Sequence, residues 1–278
     1  MARILDFFRR RRSSEQPAGR SFEEILQDVQ PYSVPALMLR KSDGSSKSYL
    51  GGDPCLPADI EWPSKDGREL TFLASVDLGE AAVSAAISWL PATGKLLFFY
   101  DAEKQPWGFD PADRGGWSVV HVNETGTAES AQRPGLPQFF VEFEEVESLP
   151  DWQRFDALGI ELDEQEAETY IDGYFEWRGD RANHQMGGYP SPVQGDDMEL
   201  ECQLASNGLN CGDGTAYQSD EGKRLAAGAK DWRLLLQFAS DDDLGVMWGD
   251  IGDLYFWVKK KDSIKADFSN VWVVLQCS

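Results

Sequence analysis

The amino-acid sequence predicts an α+β fold that is internally duplicated, with two mainly antiparallel sheet units and their helices related by a pseudo-twofold axis. Two observations carry this prediction. Each half alternates apolar runs of strand length with helical segments, and four short motifs occur twice in the same order. Two copies are too few for a solenoid, so they are expected to pair around an axis. The motif pairs begin at Gly51 and Gly187, Leu70 and Leu234, Gly94 and Gly252, and Trp117 and Trp272.

The chain is predicted to comprise a basic flexible tail over residues 1–20 and a single duplicated domain over residues 21–278. The first unit covers about residues 36–123, a connector with helices covers 124–180, and the second unit covers about 184–278. A length of 278 residues is enough to bury a sizeable core.

The elements of the first half follow from turn residues and apolar runs. Ser21, with Glu24 three residues later, has the spacing of a helix capping box and predicts a helix that continues to Gln30. Prolines end this helix, because proline cannot continue a helical hydrogen-bond pattern. The other elements predicted here are strands at 36–39, 70–76, 96–100 and 117–122 and a helix at 79–90.

The connector and the second half are assigned in the same way. Alternation of apolar and polar residues predicts a strand at 138–144, and apolar residues at three- and four-residue spacing predict an amphipathic helix at 163–177. The acidic helices of the connector have no counterpart in the first half. The remaining predicted elements are helices at 150–158, 198–206 and 221–230 and strands at 233–238, 254–259 and 271–276.

The formal net charge of −22 is unevenly distributed along the chain. Residues 1–20 hold six arginines and two acidic residues, so this segment is +4 and the remainder carries −26. Such a body repels phosphate backbones, and no nucleic-acid binding is predicted. The charge suits a basic protein partner or cations, and solubility alone is the alternative explanation.

The first twelve residues combine apolar side chains with four consecutive arginines, Arg9 to Arg12. This composition fits peripheral contact with an anionic membrane through residues 1–12, and a disordered tail is the alternative. Neither a secretory signal nor an apolar run of about 18 residues is found, so the chain is expected to be cytoplasmic without a transmembrane segment. Four cysteines in a chain of this length do not predict a disulfide framework, and the oligomeric state is not predicted.

The densest polar cluster surrounds His184 and predicts a ligand site. Paired glycines let a backbone approach a ligand closely, and a histidine can act as an acid, a base or a ligand contact. Alternatively, the glycines only shape a turn and His184 bonds a neighbouring carbonyl. The first copy keeps the glycines but has no histidine, so the two copies share a shape and not a chemistry. The predicted ligand-binding residues are His184, Gln185, Gly187, Gly188, Tyr189, Gln194 and Asp250.

A second candidate is a cation site at Asp241, Asp243 and Asp250, because clustered carboxylates in a glycine-containing loop suit calcium. The loop lacks the ligand pattern of an EF-hand, and a solvated loop is the alternative. No catalytic residues are predicted, since the chain has two histidines and no Gly-x-Ser-x-Gly motif. No cofactor is predicted either, because no phosphate-binding glycine-rich loop occurs.

Three motifs carry a family resemblance: one that starts at Gly51-Gly52, one that runs from His184 to Asp196, and Trp248-Gly249-Asp250-x-Gly252. In these motifs, over residues 35–278, the chain resembles the YwqG-like family, a bacterial domain of unknown function. The resemblance implies an α+β protein with an internal duplication and without assigned catalytic residues. Some members resemble, in their genomic setting, the partners of bacterial toxin systems.

The net charge and the polar cluster around His184 favour two different functions. The first is a non-enzymatic protein-binding module in which the acidic body engages a basic partner, with immunity-type toxin neutralisation as a concrete version. The alternative is a small-ligand-binding protein or an enzyme whose site surrounds His184.

Overall fold

The computed structural model of the chain describes residues 19–123, 129–130, 135–179 and 184–278. Most of the basic tail predicted at 1–20, and the membrane contact predicted for 1–12, lie outside these residues. The fold is mixed helix and strand, as predicted.

Ten strands form one antiparallel sheet in the order β14-β13-β12-β11-β1-β10-β2-β6-β7-β8, while β3 pairs with β9 and β4 with β5. The strands are β1 (Val34–Ser42), β2 (Tyr49–Leu50), β3 (Cys55–Leu56), β4 (Ser64–Lys65), β5 (Arg68–Glu69), β6 (Thr71–Asp77), β7 (Lys95–Tyr100), β8 (Trp117–Val122), β9 (Glu129–Ser130), β10 (Phe139–Ser148), β11 (Gln185–Gly187), β12 (Trp232–Ala239), β13 (Asp253–Lys259) and β14 (Trp272–Gln276).

The large sheet has a central pair, β1 and β10, between two arms. The first arm is β2, β6, β7 and β8, and the second arm is β11 to β14. The sheet is nearly closed into a barrel, because the outer strands of the two arms approach each other. Phe98 packs against Phe256 with 5.4 Å between ring centroids, and the Trp117 indole N–H donates to the carbonyl of Val271 at 2.9 Å. The main core lies between the arms.

The described residues also form α-helices. They are α1 (Phe22–Val29), α2 (Leu78–Ala81), α3 (Phe155–Leu158), α4 (Glu164–Arg178), α5 (Met198–Ala205), α6 (Thr215–Gln218), α7 (Asp220–Leu225) and α8 (Lys260–Ser263). The capping box predicted at Ser21 and Glu24 is confirmed at the start of α1. Helices α1, α3 and α4 enclose a small separate core, which we call the helical lobe. Within the described residues, no helix has the length and apolarity needed to cross a membrane.

The prediction of a helix over residues 79–90 is wrong. In its place stand α2 and a 3₁₀ turn at Ala85–Ile87. Ser84 causes the break: its hydroxyl accepts from the backbone N–H of Ala86 at 3.1 Å and donates to Glu145 at 2.6 Å. A serine that bonds the backbone in this way competes with helix continuation and starts a new turn.

The two central strands, β1 and β10, are longer than the sequence predicted. β1 and β10 pair over nine positions, from Val34 opposite Ser148 to Ser42 opposite Phe140. The predicted ends were too short because β1 continues through charged residues, which lack the apolar pattern of a strand. Arg40 is satisfied there by an ion pair with Glu144 at 2.8 Å, so the polar extension of the strand is stable.

Candidate functional site

His184 directly precedes β11 and is buried, with 2% of its surface exposed. The backbone N–H of Ala239 donates to its Nδ1 at 3.3 Å, so the ring proton lies on Nε2, which donates to Oδ2 of Asp241 at 3.0 Å. The ring also packs against Phe238, with 4.7 Å between ring centroids. His184 therefore uses both ring nitrogens inside the fold.

Asp241 is the acceptor at the centre of this cluster. Its Oδ1 accepts from Nζ of Lys41 at 2.8 Å, and the same Nζ contacts Oδ2 of Asp243 at 2.6 Å. Burial opposes ionisation of Asp241, but hydrogen bonds from His184 and Lys41 outweigh it and hold the pKa of this carboxyl well below its usual range. A buried carboxylate thus joins β1, the start of β11 and the loop over residues 240–252.

Asp241→Asn is expected to lower the free energy of unfolding at pH 7 by about 1–3 kcal/mol, because it removes a charged acceptor from two side-chain donors, His184 and Lys41. The folded state depresses the pKa of Asp241, so the stabilisation is complete above the unfolded value of about 3.9 and is lost as the pH falls below it. The difference in urea unfolding between the two proteins should therefore be largest at neutral pH and should shrink steadily as the pH falls below about 4.

Asp243→Asn is the matched control, because the side chain of Asp243 is 68% exposed and shares the same lysine. Its effect on unfolding should stay within about 0.5 kcal/mol. If the difference between wild type and Asp241→Asn were the same at every pH, the carboxylate charge would have no part in the stabilisation.

The three predicted cation ligands do not share one set of partners. Asp241 and Asp243 share the ammonium group of Lys41, whereas Asp250 is exposed and its backbone carbonyl accepts from the N–H of Ser278 at 3.1 Å. In the part of the chain that the structure describes, no group of three or more His, Cys, Asp or Glu side chains is arranged to hold a metal ion. The positive charge between the two bonded carboxylates is supplied by the protein itself.

Glutamine side chains of the second arm bind the segment 188–196. Gln185 donates from Nε2 to the carbonyl of Tyr189 at 2.7 Å, and Oε1 of Gln237 accepts from the N–H of Ser191 at 3.0 Å. Oε1 of Gln276 accepts from the N–H of Gln194 at 3.1 Å. Buried polar groups require such partners. Of the residues predicted to contact a ligand, Gln185 therefore contacts this chain through its side chain, whereas Gln194 is exposed and is bonded through its backbone.

Sequence reasoning missed Gln237 and Gln276. Their signal was present, because each is a polar residue within an apolar run of a buried strand. A polar residue in that position needs a partner inside the fold.

The paired glycines also face the chain's own backbone. Gly187 and Gly188 have φ angles of +64° and +69°, in the left-handed region that glycine tolerates. A Cβ at Gly187 would lie 2.6 Å from the carbonyl oxygen of Ala86. The close approach to the glycine backbone that was expected of a ligand is made here by the carbonyl of Ala86.

The loop 240–252, between β12 and β13, is anchored in the main core by Trp248. This indole is 1% exposed and packs edge-on against Tyr100 of β7, with 5.5 Å between ring centroids. The N–H of Gly252 donates to the carbonyl of Trp248 at 2.8 Å, which closes the tip of the loop.

A second anchor comes from Gln105, in the segment that follows β7. Its Nε2 donates to the carbonyl of Met247 at 3.1 Å, and its Oε1 accepts from the N–H of Gly249 at 2.8 Å. The loop is therefore held on one side by the Asp241 cluster and on the other by a side chain of the first arm.

Two open surface pockets accompany these elements. One, of about 230 Å³, is lined by Lys41, Ser42, Asp43, Phe139 and Asp243. The ammonium group of Lys41 is already paired with Asp241 and Asp243. The other pocket, of about 340 Å³, is lined by Lys47, Asp77, Gly79, Glu80, Thr93 and Gly94.

The two histidines of the chain both bond to other parts of the protein. His121 contacts the carbonyl of Thr93 at 3.2 Å through Nε2, and His184 bonds Asp241 and a backbone amide. In the residues that the structure covers, none of these contacts joins a histidine ring to the hydroxyl of a serine or the thiol of a cysteine, the arrangement that activates such a nucleophile.

Comparison with known proteins gives a family without an assigned activity. No protein of curated function matches the chain. A family model described as a domain of unknown function, DUF1963, matches residues 48–277, which include both arms and the loop 240–252. The chain therefore belongs to the DUF1963 family.

Proposed function

We propose that the chain is a non-enzymatic protein-binding module whose acidic surface engages a basic protein partner. The observation that carries the proposal is the excess of carboxylates, which gives the chain a net charge of −22. Long-range attraction of this kind accelerates the encounter with a partner of opposite charge. Neutralisation of a basic toxin by an immunity-type protein is one concrete version, in keeping with the resemblance to YwqG-like proteins.

The helical lobe shows how this charge is displayed. Residues 150–179 contain nine acidic and two basic residues, a net charge of −7. Aromatic side chains of the lobe are also exposed: Trp152 by 42%, Phe175 by 44% and Trp177 by 47%. Tryptophan is enriched at protein-binding hot spots, and the combination with acidic residues suits a basic partner. The exposed acidic residues of the segment 150–179 are Asp156, Glu161, Asp163, Glu164, Glu168, Asp172 and Glu176.

The alternative, a ligand-binding or catalytic site around His184, has less support. His184 and Gln185 are 2% and 3% exposed, and the contacts of both side chains described above are with this chain. A ligand would have to displace those contacts before it could reach either side chain.

We also propose that the two arms derive from one duplicated unit and are related by a pseudo-twofold axis. Gly51 and Gly52, which follow β2, have φ angles of +63° and +70°, close to those of Gly187 and Gly188 at the end of β11. Each arm has a register shift between its second and third strands, after Phe72 in β6 and after Leu234 in β12, which would make Phe72, and not Leu70, the counterpart of Leu234. Outwards from the central pair, each arm also has its strands in chain order: β11 to β14 on one side and β2, β6, β7 and β8 on the other.

The proposed function predicts salt-sensitive capture of a basic protein. Immobilised full-length chain, exposed at about 0.05 M salt to an extract of the cells that produce it, should retain a basic protein that is released at about 0.3 M salt. The purified partner should then associate more slowly as the ionic strength rises. Retention of acidic and basic proteins alike, or association independent of salt, would contradict the proposal.

A variant with Glu168→Gln, Asp172→Asn and Glu176→Gln provides the matched test. These exposed side chains lie on α4, and their neutralisation is expected to slow association by roughly threefold or more. Thermal unfolding should change little, since each substitution affects an exposed residue.

A further inference from the structure

The tip of the loop 240–252 displays apolar side chains to solvent. Val246 and Trp248 are buried, whereas Met247 is 53% exposed and Ile251 is 69% exposed. Trp107, from the same segment as Gln105, is 39% exposed. We define Met247 and Ile251 as the loop tip. Large exposed apolar side chains that cluster on one loop are typical of an interaction surface.

The backbone of Ile251 is strained. Its φ angle is +52°, a left-handed conformation that is a true outlier for a β-branched residue. Asparagine or glycine would adopt the same backbone at lower cost. The fold itself therefore does not favour isoleucine at this position. Strain of this kind is a recurrent property of functional sites, so the exposed side chain points to a role outside the fold.

The loop tip is also held in a fixed shape before any partner arrives. Gln105 bonds the carbonyl of Met247 and the N–H of Gly249, and the carbonyl of Asp250 accepts from Ser278. Gln105 is itself left-handed, with a φ angle of +46°. A surface that is ordered in advance loses little conformational entropy on binding, which favours affinity.

Carboxylates determine which partner this tip suits. Asp242 and Asp250 are exposed on the same loop. Asp243 and Glu103 are exposed as well, but each forms an ion pair with a lysine of this chain, Lys41 and Lys104 respectively. We propose that the loop tip docks a basic polypeptide segment that carries bulky apolar side chains. The apolar side chains of that segment cover Met247 and Ile251, and its lysines or arginines face the surrounding carboxylates. This inference rests on the proposed function and assigns the place where the basic partner is anchored.

The test uses the full chain and three labelled 12-residue peptides, with binding followed by fluorescence anisotropy at low salt. The first peptide has six lysines around Phe-Leu-Phe, the second replaces these three residues by serine, and the third replaces the lysines by glutamate. We expect the first to bind at least fivefold more tightly than the second, and the third not to bind.

Ile251→Asn is the decisive variant. It should weaken binding of the first peptide by about fivefold or more, because it removes a central apolar contact. At the same time it should raise the thermal midpoint by about 1–3 °C, since asparagine tolerates the left-handed backbone. A side chain with a merely structural role would lower the midpoint. Ile264→Ser is the matched control, because Ile264 is 63% exposed outside this loop and its loss should leave peptide binding unchanged.

The outcomes separate this inference from the proposed function. If the lysine–serine peptide bound as tightly as the lysine–apolar peptide, and Ile251→Asn bound both normally, charge recognition would stand and the loop tip would be ruled out as the anchor. If none of the peptides bound at low salt, both proposals would fail.

Discussion

Gly51→Ala is expected to lower the free energy of unfolding by more than about 4 kcal/mol, or to leave no soluble protein. Gly51 has a φ angle of +63°, and an alanine there adopts the left-handed conformation at a cost of about 1–2 kcal/mol. A Cβ would also lie 2.0 Å from the backbone oxygen of Pro137, so the strand end must move. Soluble yield and the urea midpoint measure the effect.

Gly67→Ala separates the two contributions. Gly67 has a φ angle of +77°, but nothing lies within 4 Å of the position of its Cβ. Only the conformational cost of about 1–2 kcal/mol applies there. Equal stability of the Gly51 and Gly67 variants would show that the contact with Pro137 is unimportant.

Gly187→Ala extends the same experiment to the second arm. Its Cβ would lie 2.6 Å from the carbonyl oxygen of Ala86, so a large loss of stability is expected again. A parallel loss at Gly51 and Gly187 is what a duplicated unit requires, because Gly51 directly follows the first strand of one arm and Gly187 ends the first strand of the other. A tolerated alanine at either position would weaken the proposed equivalence.

Local signals in the sequence were sufficient for most strands of the large sheet, but not for the two- and three-residue strands, none of which was predicted. β8 was predicted with its observed ends, and β6, β7, β12, β13 and β14 within one residue, because their apolar runs are bounded by turns. An apolar run of this kind indicates that a strand forms, but it does not indicate which strands pair with it. No local signal in the sequence indicated that the central pair β1 and β10 separates the two arms.

The candidate site illustrates the same limit. The sequence identified His184 and the acidic residues around Asp241 as unusual, but 57 residues separate the two partners. Their hydrogen bond depends on the pairing of β11 with β1 and β12, and β11 is too short to be recognised by periodicity. The strain at Ile251 was invisible as well, because the residue type itself argues against a left-handed backbone.

His184→Ala is expected to lower the free energy of unfolding by about 2–4 kcal/mol. The substitution leaves a buried cavity and removes one donor from Asp241 and the acceptor of the Ala239 amide. In a chain of this size the thermal midpoint should fall by several degrees. Below that midpoint, capture of the basic partner should be largely retained, because His184 is buried and Trp248 and Gln105 still hold the tip of the loop 240–252.

His121→Ala serves as the control for removing a histidine. His121 is half-buried on β8, and its Nε2 contacts only a carbonyl at 3.2 Å, so the expected loss is about 1 kcal/mol or less. Unfolding and binding of the His184→Ala protein must both be measured to decide between a structural histidine and a ligand-binding one. A His184→Ala protein that unfolds like the wild type but no longer binds a ligand would reverse the assignment, since it would show that the ring acts on a ligand and not on Asp241. Loss of stability with binding intact would leave the histidine as part of the scaffold that holds the loop 240–252 in place.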